Sequence, residues 1–253
     1  IVILEGKSDK TFFEKMLPKY RQFLGKEEPN AYIDKVNGID TLNDKLLTYS
    51  TAFDGIVPDS AKWIVIRDTD CVPISRQPDV KGTNLGYLRA TNKDLYFQKG
   101  YGIESTFLTE TDMFVKLILK YYSLNNTETL TVTSMVEDLN NTYAGKVLVS
   151  TDAIHEELEN HFQRQKEQRK EKLYETLRFQ DMLREIDNTK ISYIMTKPIL
   201  DMYLAELHGR IVVIYGTSLS ALKNDTLLEF YYNTISTIDD IYECHKELLE
   251  LLY

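Results

Sequence analysis

The sequence predicts an α/β fold, a parallel sheet core with a large helical insert. Three observations predict it. Short apolar runs at residues 1–4, 63–66 and 211–215 read as buried strands. Helix-periodic segments lie between them, the strand–helix order that parallel sheets require. The first two runs lead straight into acidic residues, Glu5 and Asp68.

Taken along the chain, residues 1–4 form the first strand and 10–17 a helix that Pro18 should stop. A weaker alternating strand covers 31–36, a helix 41–49, and the next strand 63–66. Residues 86–90 and 96–104 are extended. A helix over 112–122 carries an apolar stripe of Phe114, Val115, Ile118 and Leu119. The longest helical stretch spans 151–186, with Thr151 or Asp152 as its cap and Glu156 and Glu157 in its first turn. The run at 211–215 returns to the sheet, and helices follow at 219–232 and 238–252. The expected division is a core over 1–110, an insert over 111–209 and a returning segment over 210–253.

Composition narrows the function. Apolar residues make up 43% and charged residues 27%, which excludes a largely disordered chain. A net charge of −9 excludes a nonspecific basic nucleic-acid coat. No apolar run is long enough to span a membrane. Cys71 and Cys244 cannot build a disulfide framework, so a reducing, cytoplasmic setting is expected. The opening Ile1-Val-Ile-Leu reads as a strand and not as a signal peptide, so further residues are expected upstream. The four histidines lack zinc spacing, and there is no phosphate-binding glycine loop.

The chemistry sits at the strand ends. Glu5-Gly-Lys-Ser-Asp9 follows the first strand and Asp68-Thr-Asp70 the later one. In parallel sheets the carboxyl ends of strands line one crevice. Glu5, Asp68 and Asp70 therefore converge if their strands are neighbours. Close carboxylates repel, and a hard divalent cation relieves them. A cation held with open positions is the equipment for phosphodiester cleavage. Asp68 and Asp70 would hold it. Glu5 would ligate it or act as general base. Asp9 either supports a second ion or caps the helix.

These two motifs resemble the motif pair of the TOPRIM domain, a Rossmann-like fold shared by topoisomerases, primases and OLD-type nucleases. The resemblance covers about residues 1–110 and 211–232. The opening Ile1–Lys10 segment and Gly100-Tyr-Gly-Ile-Glu-Ser-Thr-Phe-Leu are similar to TOPRIM nucleases that accompany an ABC-type ATPase in bacterial antiphage defence, the AriB family of PARIS effectors in particular. The resemblance implies that Glu104 joins a Mg²⁺ site (Mn²⁺ as alternative). It implies a cytoplasmic nuclease held by an AriA-like ABC-type ATPase sensor, active as a homodimer, with host tRNA as substrate. Relatives carry Gly-Lys after the last core strand. Here Gly216-Thr-Ser follows instead, which leaves Lys7, Lys10, Arg67, Lys197 and Lys223 as substitutes for the cation.

An OLD-like DNA nuclease uses the same carboxylates, and a non-catalytic binding module is the third reading. The retention of Glu5, Asp68 and Asp70 together argues against the module. The most basic segment contains Arg164, Lys166, Arg169 and Lys170, interleaved with Glu167 and Glu171. A helix polar all round is a partner surface or a phosphate contact. The balanced charges favour a protein partner.

Overall fold

The computed structural model describes residues 1–29, 31–36, 38, 41–58, 60–168 and 178–253. Its centre is a four-stranded, all-parallel sheet. The strands are β1 (Val2–Leu4), β2 (Ile33–Lys35), β3 (Trp63–Arg67) and β4 (Lys93–Phe97), in the spatial order β2-β1-β3-β4. Val2 lies opposite both Ile33 and Ile64, and Ile66 lies opposite Tyr96. The chain winds outward from β1 to β2, then crosses back to β3 and outward to β4. The order reverses between β1 and β3, where α/β sheets open a crevice at the strands' carboxyl ends.

Both faces of the sheet are covered, which is why its central strands read as unbroken apolar runs. Val2, Leu4, Ile64 and Ile66 face the main core with Phe12, Phe13 and Met16 of α1 (Lys7–Leu24). Ile3, Trp63, Val65 and Leu95 face a second cluster with Leu42 and Leu46 of α2 (Leu42–Ala52). α3 (Gln77–Leu85) packs beside β4. The main core continues without a break through α4 (Thr111–Tyr122), α5 (Thr129–Val147), α6 (Ala153–Gln168) and α7 (Phe179–Leu183). It ends in α8 (Lys197–Tyr215), α9 (Asn224–Thr234) and α10 (Glu243–Glu250). The helices over 111–209 thus share one core with the sheet. Among the described residues, no helix is long and apolar enough to cross a membrane.

The run at 211–215 is not a strand. It is the end of α8, and no strand returns to the sheet from 210–253 among the described residues. Ile199, Tyr203, Leu207 and Ile211 are buried at helical spacing and set the conformation. Thr196 caps the start, accepting from the Ile199 amide, and Gly216 with φ 66° closes the end. Local β preference loses to that stripe and leaves Val213 and Ile214 exposed. The fourth strand is instead β4, which shares only Tyr96 and Phe97 with the stretch expected to be extended over 96–104, while 86–90 holds no strand.

α1 likewise runs through Pro18 to Leu24. Glu14 and Pro18 are both exposed, so the missing helix bond falls on the outer face, and buried Met16 and Tyr20 anchor the helix on either side of the proline. The helix over 112–122 is found, with its stripe buried. α5 was not foreseen, and the two C-terminal helices are shorter than the sequence suggests. Asp152 caps α6 as expected, accepting from the Ile154 amide at 2.8 Å. Ile154, Leu158 and Phe162 anchor α6, and Phe179, Met182 and Ile186 are buried beyond it. Gln163, Arg164, Lys166 and Glu167 are exposed between them.

Candidate functional site

β1 and β3 are neighbours, so Glu5 and Asp68 leave the sheet side by side. The Asp68 amide donates to Glu5 Oε2 at 3.2 Å. Asp70 reaches the same crevice by a turn and not by strand alternation. It and Cys71 both take left-handed backbone angles, φ 49° and 63°. Two consecutive non-glycine residues in that region store strain, a feature concentrated at functional sites. The turn is held from below, with the Thr69 amide donating to the Tyr101 carbonyl at 3.1 Å.

Asp9 is buried in the first turn of α1. Its Oδ2 accepts from the Gly6 amide at 2.8 Å, so it does reach back to the helix start. Its Oδ1 accepts from Gln98 Nε2, and that nitrogen also donates to Asp68 Oδ1 at 2.9 Å. Glu104 lies in a buried 3-10 segment, Ile103–Thr109, which starts after Gly102. A Cβ on Gly102 would stand 3.2 Å from Glu104 Oε2 and 3.3 Å from Asp68 Oδ2, so the two carboxylates flank the glycine backbone at a distance that a larger residue would have to widen by a few tenths of an ångström. Ser8 Oγ donates to Glu104 Oε1 at 2.9 Å, and Lys197 Nζ pairs with the same oxygen at 2.7 Å.

The structure therefore gathers all five acidic candidates. Burial pushes the Asp68 carboxyl well above the usual carboxylate range, and the charges of Asp9, Glu5, Asp70 and Glu104 all push the same way. Asp9 rises to about 7 through burial, opposed by its bonds to Gly6 and Gln98 and reinforced by Glu104 and Asp70. Two cations adjoin the cluster. Arg67, fully buried, sets Nε 3.7 Å from Glu5 Oε2 and donates from Nη1 to Asn84. Asn84 is held in turn by Asn43, and the guanidinium covers the Phe97 ring. Lys197, half-exposed, heads α8. Burial pulls its ammonium pKa down, the Glu104 charge pushes it up, and the net direction is up. Lys7 and Lys223 are exposed, and the charge of Lys10 acts on Asp34.

The donor set suits a hard divalent cation, since every candidate ligand is a carboxylate oxygen. Among the described residues, no three His, Cys, Asp or Glu side chains are already drawn to a common point. Their oxygens are instead held by Gln98, Ser8, Lys197 and the Gly6 and Asp68 amides.

Sequence reasoning overlooked Ser8, Gln98 and Tyr101. Gln98 follows β4 directly and obeys the strand-end logic that selects Glu5 and Asp68. It escaped because β4 was not delimited. The Tyr101 hydroxyl is hydrogen-bonded to His161 of α6, and its phenol is held well above its ordinary value by burial and by Asp70. Of the basic segment, Arg164 pairs with Glu157 at 3.2 Å and Lys166 is exposed, whereas Arg169 and Lys170 lie outside the described residues. Comparison with protein-family models, curated proteins and solved structures finds no match for the chain.

Proposed function

We propose that the chain is a metal-dependent phosphodiesterase of the TOPRIM type, an endonuclease that uses Mg²⁺ or Mn²⁺. One observation carries this reading: five carboxylates from three chain segments line the crevice where the strand order reverses, and the other four charges all act on Asp68. A fold gains nothing in stability from such a cluster. A divalent cation, when bound, supplies a polarised phosphate and an activated water or hydroxyl. Asp68, Asp70 and Glu104 are its proposed ligands, with Asp9 supporting a second ion. Glu5, oriented by Arg67 and the Asp68 amide, accepts the proton of the attacking oxygen. Ser8 fixes Glu104, and the half-exposed Lys197 meets a non-bridging phosphate oxygen.

The sequence motifs extend the proposal to an AriB-like effector of antiphage defence. In that reading an AriA-like ABC-type ATPase restrains the chain, release yields an active homodimer in the cytoplasm, and host tRNA is cut. Incubating purified protein with total RNA and with plasmid DNA in Mg²⁺ tests it. Loss of intact tRNA, abolished in Asp68→Ala, is the expected result. Nicked plasmid with untouched RNA would favour the OLD-like DNA nuclease. Neither product at saturating Mg²⁺ or Mn²⁺ would leave a binding module.

A further inference from the structure

The acidic cluster includes a buried neutral group that belongs to neither motif. Gln98 is 2% exposed and sits immediately after β4. Its main chain is fixed independently of its side chain. The Gln98 amide donates to the Arg67 carbonyl at 3.0 Å, and its carbonyl accepts from Thr69 Oγ1 at 3.0 Å. Its carboxamide nitrogen spends both hydrogens on carboxylates from different segments, Asp9 Oδ1 of α1 and Asp68 Oδ1 after β3. The two oxygens thus stand within hydrogen-bond reach of a single nitrogen. Its Oε1 is buried and accepts no hydrogen bond among the described residues. A buried amide oxygen without a donor is costly to the fold, and such a group calls for an explanation.

We propose that Gln98 is the positioning residue of the acidic site: its carboxamide nitrogen holds Asp9 and Asp68 side by side for a divalent cation, and its free Oε1 is a neutral donor to that cation's shell. This rests on the metal reading of the cluster given above. The chemistry is specific to an amide. A carboxylate in place of Gln98 could not donate to Asp9 and Asp68 and would add to their repulsion. A lysine would neutralise them and compete with the cation. An amide orients both carboxylates, keeps their charge, and offers a hard oxygen of the kind that Mg²⁺ and Mn²⁺ accept.

The test is Mn²⁺ binding by calorimetry, with the metal-induced rise in melting temperature as a second readout. Gln98→Met keeps the length and removes the donor and the acceptor, and the backbone bonds of residue 98 do not need the amide. Its Mn²⁺ affinity should fall tenfold or more. The metal concentration for half-maximal cleavage should rise by a similar factor, with turnover recovering at saturating metal. A purely structural role would lower the melting temperature and turnover without moving the metal half-saturation. Gln98→Glu is the second variant. Without metal it should melt lower than wild type, and Mn²⁺ should raise its melting temperature by more than it raises that of wild type. Asp68→Asn, run alongside, separates the two ideas. If wild type binds Mn²⁺, Asp68→Asn does not, and both Gln98 variants match wild type, the positioning role is wrong and the metal site stands. If wild type binds no Mn²⁺, or Asp68→Asn binds it unchanged, the metal site falls and the role of Gln98 falls with it.

Discussion

One short segment, Ile103–Thr109, borders two buried polar clusters that follow opposite rules. Towards the sheet, Glu104 joins four other carboxylates. That side holds strained backbone at Asp70 and Cys71, and among the described residues Gln98 Oε1 and Arg67 Nη2 are buried without a hydrogen-bond partner. Towards α9 and α10, Thr106 joins His245, whose every polar position is used. The Tyr242 amide donates to the Tyr231 hydroxyl, which meets His245 Nδ1 at 3.0 Å. His245 Nε2 meets Thr106 Oγ1 at 2.7 Å, and Thr106 donates onward to the Ile103 carbonyl. This chain assigns the proton to Nε2. Rings of Phe12, Phe107, Tyr231 and Tyr242 enclose the imidazole. The difference teaches which buried polar groups build the fold and which build a site. A neutral imidazole bonded at both nitrogens is architecture, even though the buried Tyr242 hydroxyl beside it has no hydrogen-bond partner among the described residues, whereas a cluster of like charges is retained at a cost in stability.

The comparison breaks most sharply on activity. Asp68→Ala or Glu5→Ala should lower cleavage on the order of a thousandfold, the scale of losing a transition-state contact in a dry site. The melting temperature of Asp68→Ala without metal should hold or rise, because one repelling group is gone, whereas Glu5→Ala also leaves the buried Arg67 guanidinium without its charge partner and should melt lower. A variant that cuts normally at saturating Mg²⁺ defeats the assignment. His245→Ala should do the reverse. Removing a fully buried ring should cost about 3–5 kcal/mol. Activity should follow the folded fraction and return to normal on cooling. A His245→Ala protein as stable as wild type would show that the aromatic box is not architecture.

The sheet half was legible because each of its determinants is local. Continuous apolar runs at Ile64–Ile66, a glycine after Glu5 and acids at the strand ends need only a few residues of context. The parallel neighbourhood of β1 and β3 then brings Glu5 to Asp68 without further information. The rest depends on distant partners. Ile211-Val-Val-Ile-Tyr215 has strand propensity, and only the buried stripe that begins twelve residues earlier at Ile199 makes it helical. Lys197 was one of five candidate cations, and its selection required knowing that α8 starts beside Glu104. Ser8 carries no signature, and the strand-end position of Gln98 is visible only once β4 is delimited, since a lone amide or hydroxyl becomes specific only when two segments meet at it. Glu104 had no spacing argument and entered through resemblance alone.

The two clusters should also respond to pH with opposite signs. The Asp9 pKa is raised in the folded protein, from 3.8 to about 7. Its contribution is therefore full below 3.8 and is lost as pH rises towards 7. The His245 pKa is lowered from 6.5 to about 3 by burial. Its contribution is full above 6.5 and is lost as pH falls towards 3, because a second proton would displace the bond at Nδ1. Melting curves of wild type and Asp9→Asn without metal should show the variant gaining on wild type from pH 4 to 7, by a few kcal/mol at most. Saturating Mg²⁺ should erase that gain, since a cation replaces the proton. Parallel curves across the range would place Asp9 outside the coupled cluster.

The smallest effect on stability is expected where the acidic crevice opens to solvent. Lys197 is half-exposed, and its pair with Glu104 is worth about 0–1 kcal/mol by the measure of such pairs. Lys197→Met should therefore leave the melting temperature nearly unchanged. Its effect on nucleic acid should be larger than its effect on the fold. The ammonium stands at the head of α8, where the helix dipole adds positive potential, beside the carboxylates proposed to hold the metal. If it contacts one phosphate, its loss should weaken binding of single-stranded RNA and reduce the slope of log affinity against log salt by about 0.7. The Michaelis constant should rise several-fold more than turnover falls. Arg164→Gln, at the exposed pair with Glu157 on α6, is the matched control. It should leave the slope alone if the polar stretch of α6 serves a protein partner. A slope that falls in Arg164→Gln and not in Lys197→Met would move the phosphate track from the crevice to α6 and leave Lys197 with the single task of holding Glu104.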